Sequence, residues 1–210
     1  MLVTNYILLD AARMEVRIDE AKKLNPEFLC LYKGKSEQDL ECVAPYIFTF
    51  KQNSSFANWY YENGWGDAWG ILLHSAYSLE DLHKHFRKFL MVQTEDKEEL
   101  YFRFYDPRVL RIFLPTCDID QLKEFYGNII NYFVMEDEDE STAIKFWLEN
   151  YQLKSNQINK DEIIKIAPKD VSKTKDNSIQ ENVPENHIKQ TPSIIQPAKN
   201  NKNSFNIFLD

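Results

Sequence analysis

The sequence predicts an α/β fold: a mixed, largely βα-alternating sheet of about five to six strands flanked by helices, with a polar C-terminal tail. Two observations predict this class. Short apolar runs of strand length alternate with segments that have helical caps or a 3.6-residue apolar period. Aromatic content then collapses, because of the 14 Phe, 4 Trp and 11 Tyr residues only Phe205 and Phe208 follow Tyr151. We therefore predict one folded domain over residues 1–151 and a polar tail over residues 152–210 that is disordered when alone.

The predicted strands are apolar runs of five to seven residues that stop at a charged residue or a turn. In one of them Leu100, Phe102 and Phe104 alternate with less apolar neighbours, which is typical of a strand with one buried face. In chain order the predicted strands are Tyr6–Asp10, Phe28–Tyr32, Pro45–Phe50, Trp69–Ser75, Glu99–Tyr105 and Ile129–Met135.

The predicted helices begin at capping residues or follow the helical period. Ser78 precedes Glu80 and Asp81, and carboxylates in a first turn suit the positive end of a helix. Pro107 fits the first turn of another helix, and Gly127 fits the position just after a helix end. In chain order the predicted helices are Met14–Leu24, Ser54–Asn63, Ser78–Leu90, Pro107–Phe113, Asp118–Tyr126 and Ser141–Asn150.

The charge distribution argues against nucleic acid and membranes as partners. The formal net charge is −8, and residues 152–210 carry nine Lys, no Arg and seven acids, so the acidic excess lies in the predicted domain. Nucleic-acid and anionic-membrane binding draw on clustered Lys and Arg, and no such cluster occurs. Since neither an apolar run of about 18 residues nor a signal peptide is found, we expect a cytoplasmic protein. Its three cysteines, Cys30, Cys42 and Cys117, are then expected to be free thiols.

No sequence pattern supports catalysis, a cofactor or a metal site, and we predict that the protein is not an enzyme. Gly64-Trp65-Gly66 lacks the rest of a nucleotide-binding loop, and no GxSxG motif occurs. His83 and His85 lie about 200° apart on a helix, so they cannot share one ion from one face. The acid run at residues 136–140 is interpreted as a solvated charge run. A nucleophilic Cys117 that meets one of these histidines in space stays open as an alternative.

Aromatic residues are crowded between positions 59 and 69. The residues are Trp59, Tyr60, Tyr61, Trp65 and Trp69, and they are interleaved with polar side chains. Tyr and Trp are enriched among the anchors of protein interfaces, so Trp59, Tyr60, Tyr61 and Trp65 are candidate partner-binding residues. Core packing with incidental exposure is the alternative.

The segment YFRFYDPRVL at residues 101–110 resembles the FRxYDPRV signature of the DUF4123 family. Further stretches resemble the family in the same order. They are YILLDAAR at 6–13, LYKG at 31–34, APYI at 44–47, WGI at 69–71, LEDLHKHFRKFL at 79–90, LPT at 114–116 and FYG at 125–127. Together the resemblance spans about residues 5–133.

The resemblance implies a type VI secretion adaptor, also called an effector chaperone. Such a protein is cytoplasmic and not an enzyme, and it brings a toxic effector to a spike whose tip is a VgrG trimer, often with a PAAR-type protein. Many members continue into a helical lobe that is thought to help select the effector, whereas this chain continues into a polar tail. Two other functions stay open: an immunity-type protein that neutralises a toxin, for which an acidic surface suits a basic nuclease, and a cysteine-dependent enzyme.

Most signature residues are predicted to be structural. Arg103 is expected to pair with Asp10 or Asp106, and Asp106 to cap the helix that begins at Pro107. Arg108 is a candidate for partner contact, with a role beside Asp106 as the alternative. The residues assigned a structural role are Arg87, Arg103, Tyr105, Asp106 and Pro107.

The segment SFNIFLD at residues 204–210 is the strongest apolar stretch after Ile166. Four of its side chains are large and apolar, which is more than a solvating tail requires. We expect this SFNIFLD segment to dock on a partner or on an exposed sheet edge of its own domain, with a frayed end as the alternative.

Overall fold

The computed structural model describes residues 5–34, 40–93, 99–164 and 205–206. Its strands are β1 (Tyr6–Asp10), β2 (Phe28–Cys30), β3 (Pro45–Thr49), β4 (Gly70–His74), β5 (Met91–Gln93), β6 (Glu99–Tyr101), β7 (Tyr132–Glu136), β8 (Thr142–Glu149), β9 (Gln152–Asn159) and β10 (Phe205–Asn206). Its α-helices are α1 (Ala11–Met14), α2 (Arg17–Leu24), α3 (Ser55–Asn63), α4 (Leu79–Phe86), α5 (Pro107–Thr116), α6 (Ile119–Tyr126) and α7 (Lys160–Ile164).

The predicted α/β class is confirmed, with a larger sheet than expected. Seven strands pair in the order β2-β3-β1-β4-β7-β8-β9, and a second sheet has the order β10-β5-β6. All pairs in the seven-stranded sheet are antiparallel. Alternating strands and helices do not give parallel neighbours here, because β3 lies between β1 and β2 and β1 lies between β3 and β4. The first four strands therefore form two interlocked split β-α-β units, as in ferredoxin-like folds.

Helices cover both faces of the large sheet. Along β1, Ile7 and Leu9 pack in a buried cluster with α2 and α3, whereas Leu8 packs in the cluster formed with α4, α5 and α6. This split follows from the two-residue period of a strand, which points successive side chains to opposite faces. Because both faces are covered, β1, β3 and β4 consist of nearly uninterrupted apolar residues.

Local capping explains where most helices begin and end. Ser54 accepts a hydrogen bond from the Ala57 N–H, and Ser78 accepts one from the Asp81 N–H. Asp118 and Gln121 form a capping box at the start of α6. Gly127 ends α6 with φ +57°, a conformation that favours glycine.

The predicted helix Ser141–Asn150 is wrong, because this stretch forms strand β8. Ile144, Phe146 and Leu148 alternate along it and pack toward one core cluster, which is a two-residue period. Asn150 and Tyr151 both have positive φ and form a two-residue turn into β9.

Regular secondary structure continues past the predicted domain boundary at residue 151. All eight residues of β9 pair with β8, and α7 follows directly. Ile163 in α7 is only 1% exposed, and the Gln52 side chain donates a hydrogen bond to its carbonyl at 2.6 Å. The composition did not indicate strand β9, because its residues are mostly polar and because backbone pairing rather than side-chain burial forms it. The predicted tail from residue 165 lies outside the described residues, except for Phe205 and Asn206.

Two further elements differ from the sequence-based prediction. The expected strand Glu99–Tyr105 is shorter, because β6 ends at Tyr101 and residues 103–106 form a turn in which the Asp106 N–H donates to the Arg103 carbonyl at 3.0 Å. The SFNIFLD segment contributes β10, which pairs in parallel with β5. In the described residues no helix is long and apolar enough to cross a membrane.

We predict that Ile163→Ala lowers the free energy of unfolding by about 2–5 kcal/mol, because it leaves a cavity under α7. Glu162→Ala, at an exposed position of the same helix, is the control and leaves stability within about 0.5 kcal/mol of the wild type. Urea unfolding of both variants measures the difference. Equal stability of I163A and E162A would mean that the folded unit ends before α7.

Candidate functional site

Four charged side chains meet where β1 ends and α5 begins. We call them the arginine–aspartate cluster: Asp10, Arg103, Asp106 and Arg108. Arg103 donates to the Asp10 carboxylate, and its Nη2 lies 3.9 Å from Oδ2 of Asp106. Arg108 binds Asp106 through two hydrogen bonds, from Nε at 3.0 Å and from Nη2 at 2.7 Å. The cluster therefore joins the sheet to the first turn of α5.

Each carboxylate of the cluster also caps a helix. Asp10 accepts a hydrogen bond from the Ala12 N–H at 3.0 Å and caps α1. Asp106 accepts one from the Arg108 N–H at 3.0 Å and caps α5, whose first residue is Pro107. The predicted pairing of Arg103 and the predicted cap by Asp106 are both seen in the structure.

The two carboxylates have opposite electrostatic environments. Burial raises the pKa of Asp10, although the hydrogen bond and charge of Arg103 act in the other direction. Burial also acts on Asp106, but the hydrogen bonds and charge of Arg108 outweigh it and lower the pKa of that carboxyl. Within the Asp10–Arg103 pair, Asp10 carries the larger desolvation cost. Its side chain is completely buried, whereas the Arg103 side chain keeps 41% of its surface exposed.

Two further residues that were assigned a structural role are Tyr105 and Arg87. Tyr105 is buried, and its hydroxyl shares a hydrogen bond with that of Tyr32, just after β2. Burial raises the pKa of Tyr105. Arg87 lies half-buried in the 3-10 turn that follows α4.

Arg111 and Glu136, which were not predicted to form structural bonds, hold the end of β7 against α5 and the α3–β4 loop. Arg111 donates to the Glu136 carbonyl at 3.0 Å and lies 4.0 Å from Asp137. The Glu136 carboxylate is buried and accepts hydrogen bonds from the backbone N–H groups of Gly66, at 2.6 Å, and Ala68. The interpretation of residues 136–140 as a solvated run is therefore wrong for Glu136.

The predicted partner surface of aromatic residues lies in the core. Tyr60, Tyr61 and Trp65 are buried, and Trp59 is partly buried against the same cluster. Trp65 also donates its indole N–H to the Glu140 carbonyl at 3.0 Å. On the sheet face under α3, Phe48 and Phe50 make stacked or edge-on contacts with Phe56 and Tyr60 of α3. The α3 rings therefore pack into this face. These four aromatic residues do not form an exposed binding surface.

The geometry gives no support to a cysteine nucleophile. Burial raises the pKa of Cys117 to about 12, which opposes the thiolate form that attacks a substrate. The Nε2 atoms of His83 and His85 lie 2.8 and 2.7 Å from the carbonyl oxygens of Cys30 and Phe125. Both imidazoles therefore have structural partners. Across the described residues no group of three or more His, Cys, Asp or Glu side chains is placed to hold a metal ion.

The outer face of α5 combines charge and exposed apolar surface. Arg108 keeps 52% of its side chain exposed, and Ile112, one turn later, is 69% exposed. Pro115 continues the same face at the i+7 position and is exposed, and Ile119 opens α6 with its side chain also exposed. We call Arg108, Ile112 and Pro115 the α5 stripe. The sequence carries a signal for it, since Ile112 lies on the polar face opposite the buried residues Leu110 and Leu114.

A second exposed apolar side chain lies on the opposite helical layer. Val16, between α1 and α2, is 81% exposed and lines an open groove of about 540 Å³ with Glu15, Asp19 and Glu41. Nothing in the family signature contacts this groove. The α5 stripe is the better candidate for a binding surface because the signature itself positions it.

The family comparison matches most of the residues that the structure describes. The model of the domain of unknown function DUF4123 matches residues 5–124, which include β1 to β6, α1 to α5 and most of α6. The comparison with curated proteins and the comparison with solved structures each gave no match.

His85 gives a prediction for pH dependence. Burial lowers the pKa of this imidazole, so the unfolded state takes up its proton first as the pH falls through about 6.5. Stability is therefore present at higher pH and decreases as the pH falls toward the folded-state pKa. We expect His85→Gln to reduce the loss of unfolding free energy between pH 7.5 and pH 5.5, measured by urea denaturation.

His83→Gln removes the other imidazole of α4 and is the control. Gly127→Ala tests the packing around the His85 imidazole, because a Cβ at residue 127 would lie 2.4 Å from Cε1 of His85. A pH dependence that is the same in wild type and H85Q would show that His85 titrates alike in both states.

Proposed function

Since the chain belongs to the DUF4123 family, we propose that it is a non-enzymatic adaptor that loads a toxic effector onto the VgrG or PAAR spike of a type VI secretion system. The observation that carries the proposal is that charged residues of the family-matching stretches bond within the domain and position an exposed helix face. Asp10, Arg103 and Asp106 are committed to internal bonds, and they fix a helix whose outer face presents Arg108 and Ile112 to solvent. Such an arrangement suits a protein that binds other proteins better than one that transforms a substrate.

The α5 stripe has the properties of a protein-binding surface. An exposed isoleucine beside an arginine supplies apolar area next to a planar donor, and both kinds of contact recur at interface centres. Arg108 is held by two hydrogen bonds to Asp106, so little side-chain freedom is lost when a partner binds. In this proposal α5 contacts the spike or the effector in the cytoplasm, and no nucleic acid, membrane or cofactor takes part.

The test is co-purification from the native cell with the tagged full-length protein and two matched variants. Ile112→Asp places a charge in the α5 stripe, and Val16→Asp places the same charge at the exposed apolar side chain of the opposite layer. Because both positions are exposed, neither change disturbs the core. We expect I112D to weaken capture of the effector or the spike protein by about 30-fold, which corresponds to a hot spot of about 2 kcal/mol, and V16D to retain it.

The identity of the captured proteins decides between functions. An adaptor captures both a spike protein and an effector, whereas an immunity-type protein captures a toxin alone. Capture of neither, or equal capture by I112D and V16D, would contradict the proposed function or its assignment to α5 respectively.

A further inference from the structure

A row of aromatic and cationic side chains crosses four strands of the large sheet. His74 pairs with Tyr132, Tyr132 with Trp147 and Trp147 with Lys154, so the row runs over β4, β7, β8 and β9. Lys145 precedes Trp147 by two residues and therefore points to the same face of β8. All five side chains are half-buried. We call these five residues the Trp147 row.

The row lies on the α3 side of the sheet, at the end where this face stays accessible. At the other end of β8 the same face is closed, because Ala143 is completely buried and Ile158 packs against the core cluster of the α3 rings. The family match ends at residue 124, so all of the row except His74 lies beyond it. The family signature therefore does not account for these residues.

Two cations of the row have no acidic partner. The Nζ atom of Lys145 lies 4.0 Å from the centroid of the Tyr132 ring and 5.3 Å from that of Trp147. Aromatic rings attract a cation but leave its charge in place. Lys154 donates a hydrogen bond to the neutral Gln152 amide oxygen at 2.9 Å. Among the residues that the structure describes, no carboxylate forms an ion pair with either lysine. The row therefore offers two positive charges to an incoming anion.

A third polar group of the row also lacks a partner. His74 stacks on Tyr132 with the ring centroids 5.2 Å apart, and its Nδ1 atom is buried without a hydrogen bond in the described part of the chain. A buried polar atom without a partner costs free energy. Glu149 follows Trp147 by two residues on this face and is exposed, but its cross-strand neighbour is Gln152 rather than a lysine. The lysines and the imidazole are thus left for a ligand.

The spacing of the two lysines suits a pair of carboxylates. Lys145 lies opposite Asn156, and Lys154 precedes Asn156 by two residues, so the lysines are diagonal neighbours on β8 and β9. Diagonal neighbours across an antiparallel pair lie about 7–8 Å apart. Alternate side chains of an extended peptide lie about 6.5–7 Å apart and on one side of it. Two acids at alternate positions of a peptide therefore reach both lysines.

We propose that the Trp147 row is a binding site for an acidic peptide segment of a partner protein. Two carboxylates at alternate positions of the segment contact Lys145 and Lys154, and its apolar atoms pack on Trp147. Charge complementarity favours this occupant, because two unpaired cations share one face of a chain whose net charge is −8. A nucleic acid is disfavoured, since the acidic excess of the domain repels a continuous phosphate backbone.

This site is separate from the surface of the proposed adaptor function. Helix α5 packs on the other face of the large sheet, where Leu110 and Leu114 belong to the core cluster of α4, α5 and α6. Tyr132 of the row instead packs against the core cluster of the α3 rings. The inference therefore goes beyond the adaptor proposal, and peptide binding is measured without an effector or a spike protein.

Fluorescence anisotropy with the full-length protein tests the charge requirement. The probe is a fluorescein-labelled GELEG peptide, and the matched probe GQLQG replaces both glutamates by glutamine. Lys145→Gln removes one cation of the row, Lys145→Arg keeps it, and Lys88→Gln removes an exposed cation after α4, on the other face of the sheet. We expect GELEG to bind the wild type at least about tenfold more tightly than GQLQG. K145Q then weakens GELEG binding at least about fivefold, while K145R and K88Q stay within about twofold of the wild type.

Nuclear magnetic resonance then locates the bound peptide. The indole N–H signal of Trp147 is the one of four that disappears in Trp147→Phe. We expect GELEG to shift this signal and to leave the indole signals of Trp59, Trp65 and Trp69 in place. No binding of GELEG, equal binding to wild type and K145Q, or a shift confined to another tryptophan would overturn the inference.

Two further outcomes would assign the row to a different occupant and overturn the proposal. Tighter binding of an oligothymidylate of about twelve nucleotides than of GELEG, lost in K145Q, would indicate a phosphate backbone. Concentration-dependent self-association of the wild type, lost in K145Q but kept in K88Q, would indicate the acid run of a second copy. If GELEG binds as expected but co-purification captures no spike protein, the site stands and the adaptor function fails.

Discussion

The ion pair between Asp10 and Arg103 is the constraint on which the rest of the structure depends. It joins the last residue of β1, an inner strand of the seven-stranded sheet, to the turn that precedes α5. Asp10 is completely buried, so its charge is tolerable only with a cation and backbone donors around it. The same carboxylate caps α1 on one face of the sheet, while Arg103 reaches toward Asp106, which caps α5 on the other face. Both helical layers are thereby positioned from one point at the end of β1.

In the proposed adaptor function, most of the signature positions the binding surface, and only Arg108 also belongs to it. Arg103, Tyr105 and Asp106 form ion pairs or hydrogen bonds within the domain. Arg111 and Glu136 fix the neighbouring β7–β8 connection. What reaches solvent is the face of α5 that follows, with Arg108 and Ile112 exposed on it.

Features coded by short stretches were predictable, and features made by distant pairing were not. The caps at Ser54, Ser78 and Asp118 and the stop at Gly127 depend on side chains within four residues, and each is in place. Strand β9 is polar and becomes a strand only because β8 offers a partner. The β8 segment was predicted as a helix, although its apolar residues follow a two-residue period. The candidate site was predictable in its charges, since the Arg103–Asp10 pairing was expected, but not in its surface. Sequence suggested exposed aromatics at residues 59–65, whereas the wide aromatic core under α3 buries them, and the exposed Ile112 stood out only as an apolar residue on a polar helix face.

The most direct test of this account is a double-mutant cycle between Asp10 and Arg103. Asp10→Asn keeps an oxygen for the α1 cap and removes the charge, and Arg103→Gln removes the cation while keeping a donor. The free energies of unfolding of wild type, D10N, R103Q and the double variant give the interaction energy of the pair. The account predicts that each single variant is destabilised and that the coupling energy is about 1–3 kcal/mol, with the double variant little worse than D10N alone. Additive effects, with no coupling energy, would show that the two layers of helices are positioned by packing and not by this ion pair.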